Sequence, residues 1–161
     1  MAKSLLRTNN EIVEIYQRQV TTIYRVCRVY LKNTADAEDA VADTFVKMIQ
    51  SSPAFENETH EKAWLIRTAI NVCKDVLKHW WGRREALNDN MKTKERTEID
   101  ETLEVVCSLH EKYKAVVLLY YYDGYTTGEI AGILHKPAAT IRVLLFQARK
   151  ILKAKLGGDF A

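Results

Sequence analysis

Three kinds of side chain in this 161-residue sequence could do chemistry, and their spacing decides among them. Cys27, Cys73 and Cys107 are odd in number and far apart, so they form neither a disulfide framework nor a C-x-x-C pair, and they read as buried thiols. His60, His79, His110 and His135 have no i, i+4 pairing with one another or with a cysteine. No metal set and no cofactor are therefore expected. Nor does the chain carry a paired acid and base, a nucleophile elbow or a phosphate loop, so an enzyme is not expected. What remains is charge. Between Ile130 and Gly158 there is no acid, while Lys136, Arg142, Arg149, Lys150, Lys153 and Lys155 are all cationic. Positive charge concentrated on one element is what phosphate neutralisation needs, whereas a merely solvated basic face usually carries acids too.

The element that must present these cations is "HKPAATIRVLLFQARK", residues 135 to 150. With Thr127 as the first position of a helix-turn-helix unit, the small residue needed at the closest approach falls on Ala131. Ile130 and Leu134 then face inward, His135-Lys136-Pro137 makes the turn, and Ile141 starts the buried stripe of the second helix. His135 stands where a residue with positive φ is wanted and glycine is commonest, at a cost of about 1 kcal/mol. Stepping roughly 100° per residue from Ile141 puts Leu144, Leu145, Ala148 and Leu152 in the stripe. Arg142, Val143, Phe146, Gln147, Lys150 and Lys153 fall outside it. The apolar run 143 to 146 therefore divides between core and surface. Two helices with a short connection are ordinary in any α domain; the acid-free charge is what favours a nucleic-acid reader.

Elsewhere the chain holds six glycines and two prolines, Pro53 and Pro137, which suits long helices and leaves little turn chemistry for a sheet. No apolar run approaches the roughly 18 residues of a membrane span, and MAKSLLRTNNE lacks the features of a secretory signal, so a cytoplasmic protein without membrane insertion is expected. Ile12, Ile15, Tyr16, Val20, Ile23, Tyr24, Cys27 and Leu31 recur at helical spacing over 11–31. A second helix opens at "NTADAEDA", with Asp36, Glu38 and Asp39 at the positive end of its dipole, and runs to about Gln50. A polar loop over 52–61 holds Pro53 and Phe55. A third helix over 61–81 has Trp64, Leu65, Ala69, Val72, Cys73, Val76 and Leu77 on one face and Arg67, Asn71, Lys74 and Lys78 on the other. "RREALNDNMKTKERTEID" is poor in apolar residues and mixed in charge, a flexible linker by composition. Helical pattern returns at Glu101 in four segments; Asp123-Gly124 ends one, and Thr126 or Thr127 caps the next, with Glu129 in reach. The fold class is all-α: two small helical domains joined by a flexible linker, the second a helix-turn-helix.

Taken together, these segments resemble a bacterial RNA polymerase sigma factor of the small, two-domain extracytoplasmic-function (ECF) type. "DAEDAVADTFVKM" (36–48) is similar to that family's core-polymerase-binding helix, and "AWLIRTAINVCKDVLKHWW" (63–81) to its −10 promoter helix. "LHEKYKAVVLLYYYDGYTTGEIAGILHKPAATIRVLLFQARKIL" (109–152) is similar to its −35-binding domain. The resemblance implies a region 2-like domain over 1–82, a linker over 83–100 and a region 4-like domain over 101–161. It assigns Asp39, Asp43 and Phe45 to polymerase, with Ala42 standing where the family often has glutamine. Phe55, Asn57, His60, Arg67, Asn71, Lys74 and Lys78 go to the −10 element, which needs a pocketed aromatic and amide loop beside a basic helix. Residue by residue, Phe55 suits the core as well, and Asn71 suits a solvated amide; Asp75 reads as an intrahelical partner of Arg or Lys, and Trp80 and Trp81 as packing residues. Lys136, Thr140, Arg142, Val143, Phe146, Arg149, Lys150 and Lys153 go to the −35 element. The family usually has further basic residues at Leu144 and Gln147 and a serine near Val143, so weaker or altered −35 recognition is expected, with Val143 and Phe146 open to thymine methyls or to a protein. The implied partners are core polymerase, through its β′ clamp and β flap, promoter DNA and an anti-sigma factor. The alternatives are a DNA-binding regulator that never meets polymerase and a helical adaptor.

Overall fold

The computed structural model describes residues 7–81 and 101–157, and among them every regular element is a helix. The chain divides into two compact units whose boundary, at residues 93 and 94, lies outside the described residues. The expected linker over 83–100 and the side chains of Trp80 and Trp81 lie outside them too.

In the first unit, α1 (Asn9–Leu31), α2 (Thr34–Ser51) and α3 (Glu58–Trp81) pack pairwise into a three-helix body. The ends of α1 follow from local hydrogen bonding. Thr8 and Glu11 form a reciprocal capping box, with bonds of 3.0 and 3.1 Å, and Lys32 ends the helix in the left-handed region at φ 68°. Asn33 then caps α2, its Oδ1 accepting from the Asp36 N–H at 2.9 Å, so two residues connect α1 to α2. Ile23 and Cys27 of α1, Ala37 and Met48 of α2, and Leu65, Ile66, Ala69 and Cys73 of α3 fill the core. The amphipathic pattern of α1 holds only in its first half. Val26 to Leu31 are buried at every position, in a helix that packs against both α2 and α3.

A buried carboxylate ties α1 to α3. Glu61, only 4% exposed, accepts from Arg18 Nη2 at 2.8 Å, Arg18 Nε at 3.0 Å and Gln19 Nε2 at 2.8 Å. Burial pushes its carboxyl up, but the Arg18 and Gln19 bonds and the positive charge of Arg18 outweigh it and hold Glu61 below the usual carboxylate range. The Arg18 guanidinium is correspondingly raised, first by its bond to Glu61.

In the second unit, α4 (Glu101–Cys107), α5 (Glu111–Val117) and α6 (Thr127–Leu134) all pack on the long α7 (Ala138–Leu156). A π-helical turn over Leu118–Tyr122 continues α5. The tyrosine run does not continue as an α-helix, as its periodicity suggests: the Asp123 N–H reaches back to the Leu118 carbonyl and the Tyr125 N–H to the Leu119 carbonyl. Gly124, at φ 74°, ends this segment. Ile130, Ile133, Ile141, Leu145, Ala148 and Leu152 are buried, as are Val116, Leu118 and Leu119, and together they form the core of this unit. Leu134 and Leu144, expected inside, are half-buried at the edge, and Ile133 takes the interior place instead. No described helix is long and apolar enough to cross a membrane.

Candidate nucleic-acid interface

The helix-turn-helix is built by local bonds that its sequence specifies. Thr126 is the cap: its Oγ1 accepts from the Glu129 N–H at 3.1 Å, and Glu129 Oε1 accepts from the Thr126 N–H at 2.9 Å. His135 takes φ 58°, ψ 47°, the left-handed conformation required of it, and the Lys136 N–H closes on the Ala131 carbonyl at 3.0 Å. Pro137 then sets the chain extended at φ −63°, ψ 145° and supplies no side-chain cap to α7. The positive end of a 19-residue helix thus meets the surface with no side chain bonded over it, an ordinary place for a phosphate.

Along α7, Arg142, Val143, Phe146, Lys150 and Lys153 share one exposed stripe, Thr140 is exposed at its flank, and Lys136 is exposed in the turn before it. Val143 and Phe146 are 53% and 58% exposed. The Lys150 ammonium lies 4.9 Å from the centre of the Phe146 ring. Arg149 departs from the grouping made on sequence. It is half-buried, its Nε donates to Tyr121 Oη at 2.9 Å, and its guanidinium lies 5.6 Å from the Tyr120 ring centre. Those tyrosines belong to the π turn, and the bond to Tyr121 is the main reason the Arg149 guanidinium is raised. Gln147, also on the outer face, accepts from Tyr113 Oη at 3.2 Å.

The loop before α3 is shorter than its composition suggests. The helix begins at Glu58, so the loop covers 52–57 and His60 is already helical. Asn57 acts as a cap, its Oδ1 accepting from the His60 N–H at 2.8 Å, while His60 Nδ1 accepts from the Glu56 N–H at 3.1 Å. Both residues thus hold the loop in shape. Phe55 is half-buried, with its ring 5.7 Å from His60 and 5.8 Å from Trp64, both edge-on, and the Arg7 guanidinium 4.8 Å away over its face. Arg7 Nη2 also donates to the Pro53 carbonyl. Asn71, Lys74 and Lys78 share one exposed stripe of α3, and Arg67, one turn earlier, is half-buried.

On α2, Asp39, Ala42 and Asp43 are exposed on one face. Phe45 is not part of that surface. It is 5% exposed, with its ring centre 4.9 Å from that of Tyr16 in an edge-on contact, so it anchors α2 to α1 from inside. The exposed face instead continues into Val46 and Ile49, which reading the acids alone passes over. Counting three, four and seven residues on from Asp39 and Ala42 would have found them. Among the described residues no group of three or more His, Cys, Asp or Glu could hold a metal ion. Cys27 and Cys73 are buried, and Cys107 is half-buried.

Comparison with known proteins places both units. Residues 12–84 match the family model for Sigma-70 region 2, and residues 99–152 that for Sigma-70 region 4. The chain is 29% identical over 138 residues to RNA polymerase sigma factor SigV of Bacillus subtilis, covering 83% of each chain. It is 27% identical to the ECF RNA polymerase sigma-E factor of Haemophilus influenzae, covering 91% of this chain and 86% of that one. Among solved structures it is similar in fold to CnrH in complex with the cytosolic domain of CnrY, with a TM-score of 0.73 at 20% identity, covering 94% and 91% of the two chains. It is similar also to the sigma factor RpoE of Bartonella quintana bound to the anti-sigma factor NepR, with a TM-score of 0.69 at 19% identity, covering 93% and 96%.

Proposed function

Since the chain belongs to the sigma-70 family, as an ECF sigma factor, we propose that its three exposed faces divide the work of initiation. As a member of that family it binds core RNA polymerase and directs promoter-specific transcription initiation, and it is not an enzyme. The Asp39, Asp43, Val46 and Ile49 face of α2 meets the β′ clamp, where carboxylates suit a basic partner and the two apolar side chains are covered on binding. The Phe55 loop with Asn71, Lys74 and Lys78 of α3 holds the −10 strand and favours its melting. The α7 stripe, with the uncapped start of the helix, takes the −35 duplex, and the β flap holds the second unit. Residues 1–82 are the region 2 unit, 83–100 the connection and 101–161 the region 4 unit. The protein works in the cytoplasm, and an anti-sigma factor, such as the one that holds RpoE of Bartonella quintana, keeps it in check.

The observation that carries this reading is the match to both sigma-70 regions in one chain, in order, on separate compact units. A regulator that used α7 alone would leave the α2 face without a task. Run-off transcription with core polymerase on a genomic promoter library, without inhibitor, tests it. Discrete transcripts dependent on the added protein are expected; none, together with no capture of core polymerase in a pull-down, defeats it.

A further inference from the structure

We propose that Val143 and Phe146 read thymine methyl groups in the major groove, so that α7 specifies its upstream element by apolar contact in place of a guanine-centred hydrogen-bond code. The proposal rests on the sigma-factor reading and names what its −35 face recognises. Both side chains stand outside the core, 53% and 58% exposed, three residues apart on one face of the helix. Their surroundings select the partner. Arg142, Lys150 and Lys153 share the stripe, and no acid occurs from Ile130 to Gly158, so the field around the pair is complementary to a polyanion. Lys150 also lies over the Phe146 ring, its Nζ 4.9 Å from the ring centre, which sets a phosphate-seeking cation directly beside the apolar pair.

Two side chains that could read a base through paired hydrogen bonds each have one of their polar atoms engaged within the protein, Gln147 its Oε1 and Arg149 its Nε. Gln147 accepts from Tyr113 Oη and Arg149 donates to Tyr121 Oη. On the edges that base pairs present in the major groove, the apolar group is the C5 methyl of thymine. An apolar pair projecting from a helix laid in that groove, among phosphate-seeking cations, has that methyl as its matching contact.

The test uses the full-length protein with core polymerase. Promoters are first enriched from a random library; each upstream thymine is then replaced singly by deoxyuridine, which keeps every hydrogen bond and loses only the methyl. At one or two positions the replacement should weaken holoenzyme binding about three- to fivefold, the order set by burying one methyl group. Phe146→Ala and Val143→Ala, both surface truncations whose folding is checked by thermal melting, should each become indifferent to the replacement at its own position. Uniform tolerance of deoxyuridine, or equal sensitivity in wild type and both variants, overturns the proposal and leaves the pair to a protein partner. Enrichment of no promoter at all removes the sigma-factor reading itself, a result distinct from tolerance of deoxyuridine on an enriched promoter.

Discussion

Glu61 and His135 each place a group where its intrinsic preference opposes it, and each is held there by a different means. The Glu61 carboxylate is buried yet ionised because Arg18 and Gln19 together give it three hydrogen bonds. Its pKa in the fold lies below the ordinary 4.5, so its stabilisation is complete above about pH 4.5 and is lost as pH falls through the lower, folded value. Glu61→Gln should lower stability at neutral pH by about 1–2 kcal/mol. Denaturant melts at a series of pH values should also show a shallower acid-side loss in the variant, since one linked proton is gone. His135 is held by backbone geometry alone: its φ of 58° is left-handed and carries a Cβ where none is favoured. His135→Gly should stabilise the second unit by about 0.5 kcal/mol, the relief of strain exceeding the added freedom of the unfolded chain, and raise its thermal midpoint by a few degrees. His135→Val should do the reverse, because a β-branched side chain tolerates that region least.

At the scale of the element, the same helical periodicity has different value in different places. For α7 it divides Val143 and Phe146 from Ile141, Leu145, Ala148 and Leu152 correctly, because one face of a surface helix is buried and the other is not. For the end of α1 it fails, since Val26 to Leu31 are all buried, in a helix that packs against two neighbours. The π turn over Leu118–Tyr122 is equally absent from the periodicity: within it Leu118 and Leu119 are buried while Tyr121 reaches Arg149, a partner 28 residues away. Tyr121→Phe should therefore act on α7 at a distance, removing one of the two tyrosines that hold Arg149 and leaving it against Tyr120 alone, and should change DNA affinity through one phosphate contact without altering which sequence is preferred. Binding curves on matched and mismatched upstream elements measure both. On α2, the joint reversal Asp39→Lys with Asp43→Lys should weaken capture of core polymerase by at least about tenfold, the cost of juxtaposing like charges, while the exposed positions leave the melting temperature unchanged.

Across the whole molecule, charge is shared unevenly: a net charge of +3 conceals an acid-free stretch that runs from Ile130 to Gly158. Binding of the protein to upstream DNA should fall steeply with salt, and Arg142→Ala or Lys153→Ala should each reduce the slope of log K against log salt by about one. Arg149→Ala should change that slope less than either if the bond to Tyr121 persists on DNA. The all-α class, the order of the long helices, a cap at Thr126 or Thr127, cap-forming residues at the start of α2, the left-handed position at His135 and the two-faced α7 are all legible in the sequence alone. Each depends on residues within a few positions of one another, where helix geometry leaves few choices. Tertiary structure decided what depends on distant partners: Arg18 with Glu61, 43 residues apart, Tyr113 with Gln147, 34 apart, and Tyr121 with Arg149, 28 apart. It also turned Phe45 inward onto Tyr16 and left Val46 and Ile49 outside. Periodicity says that a helix has a buried side, but only the packing of one helix on another says which polar groups on its flanks are already occupied and which remain for a partner.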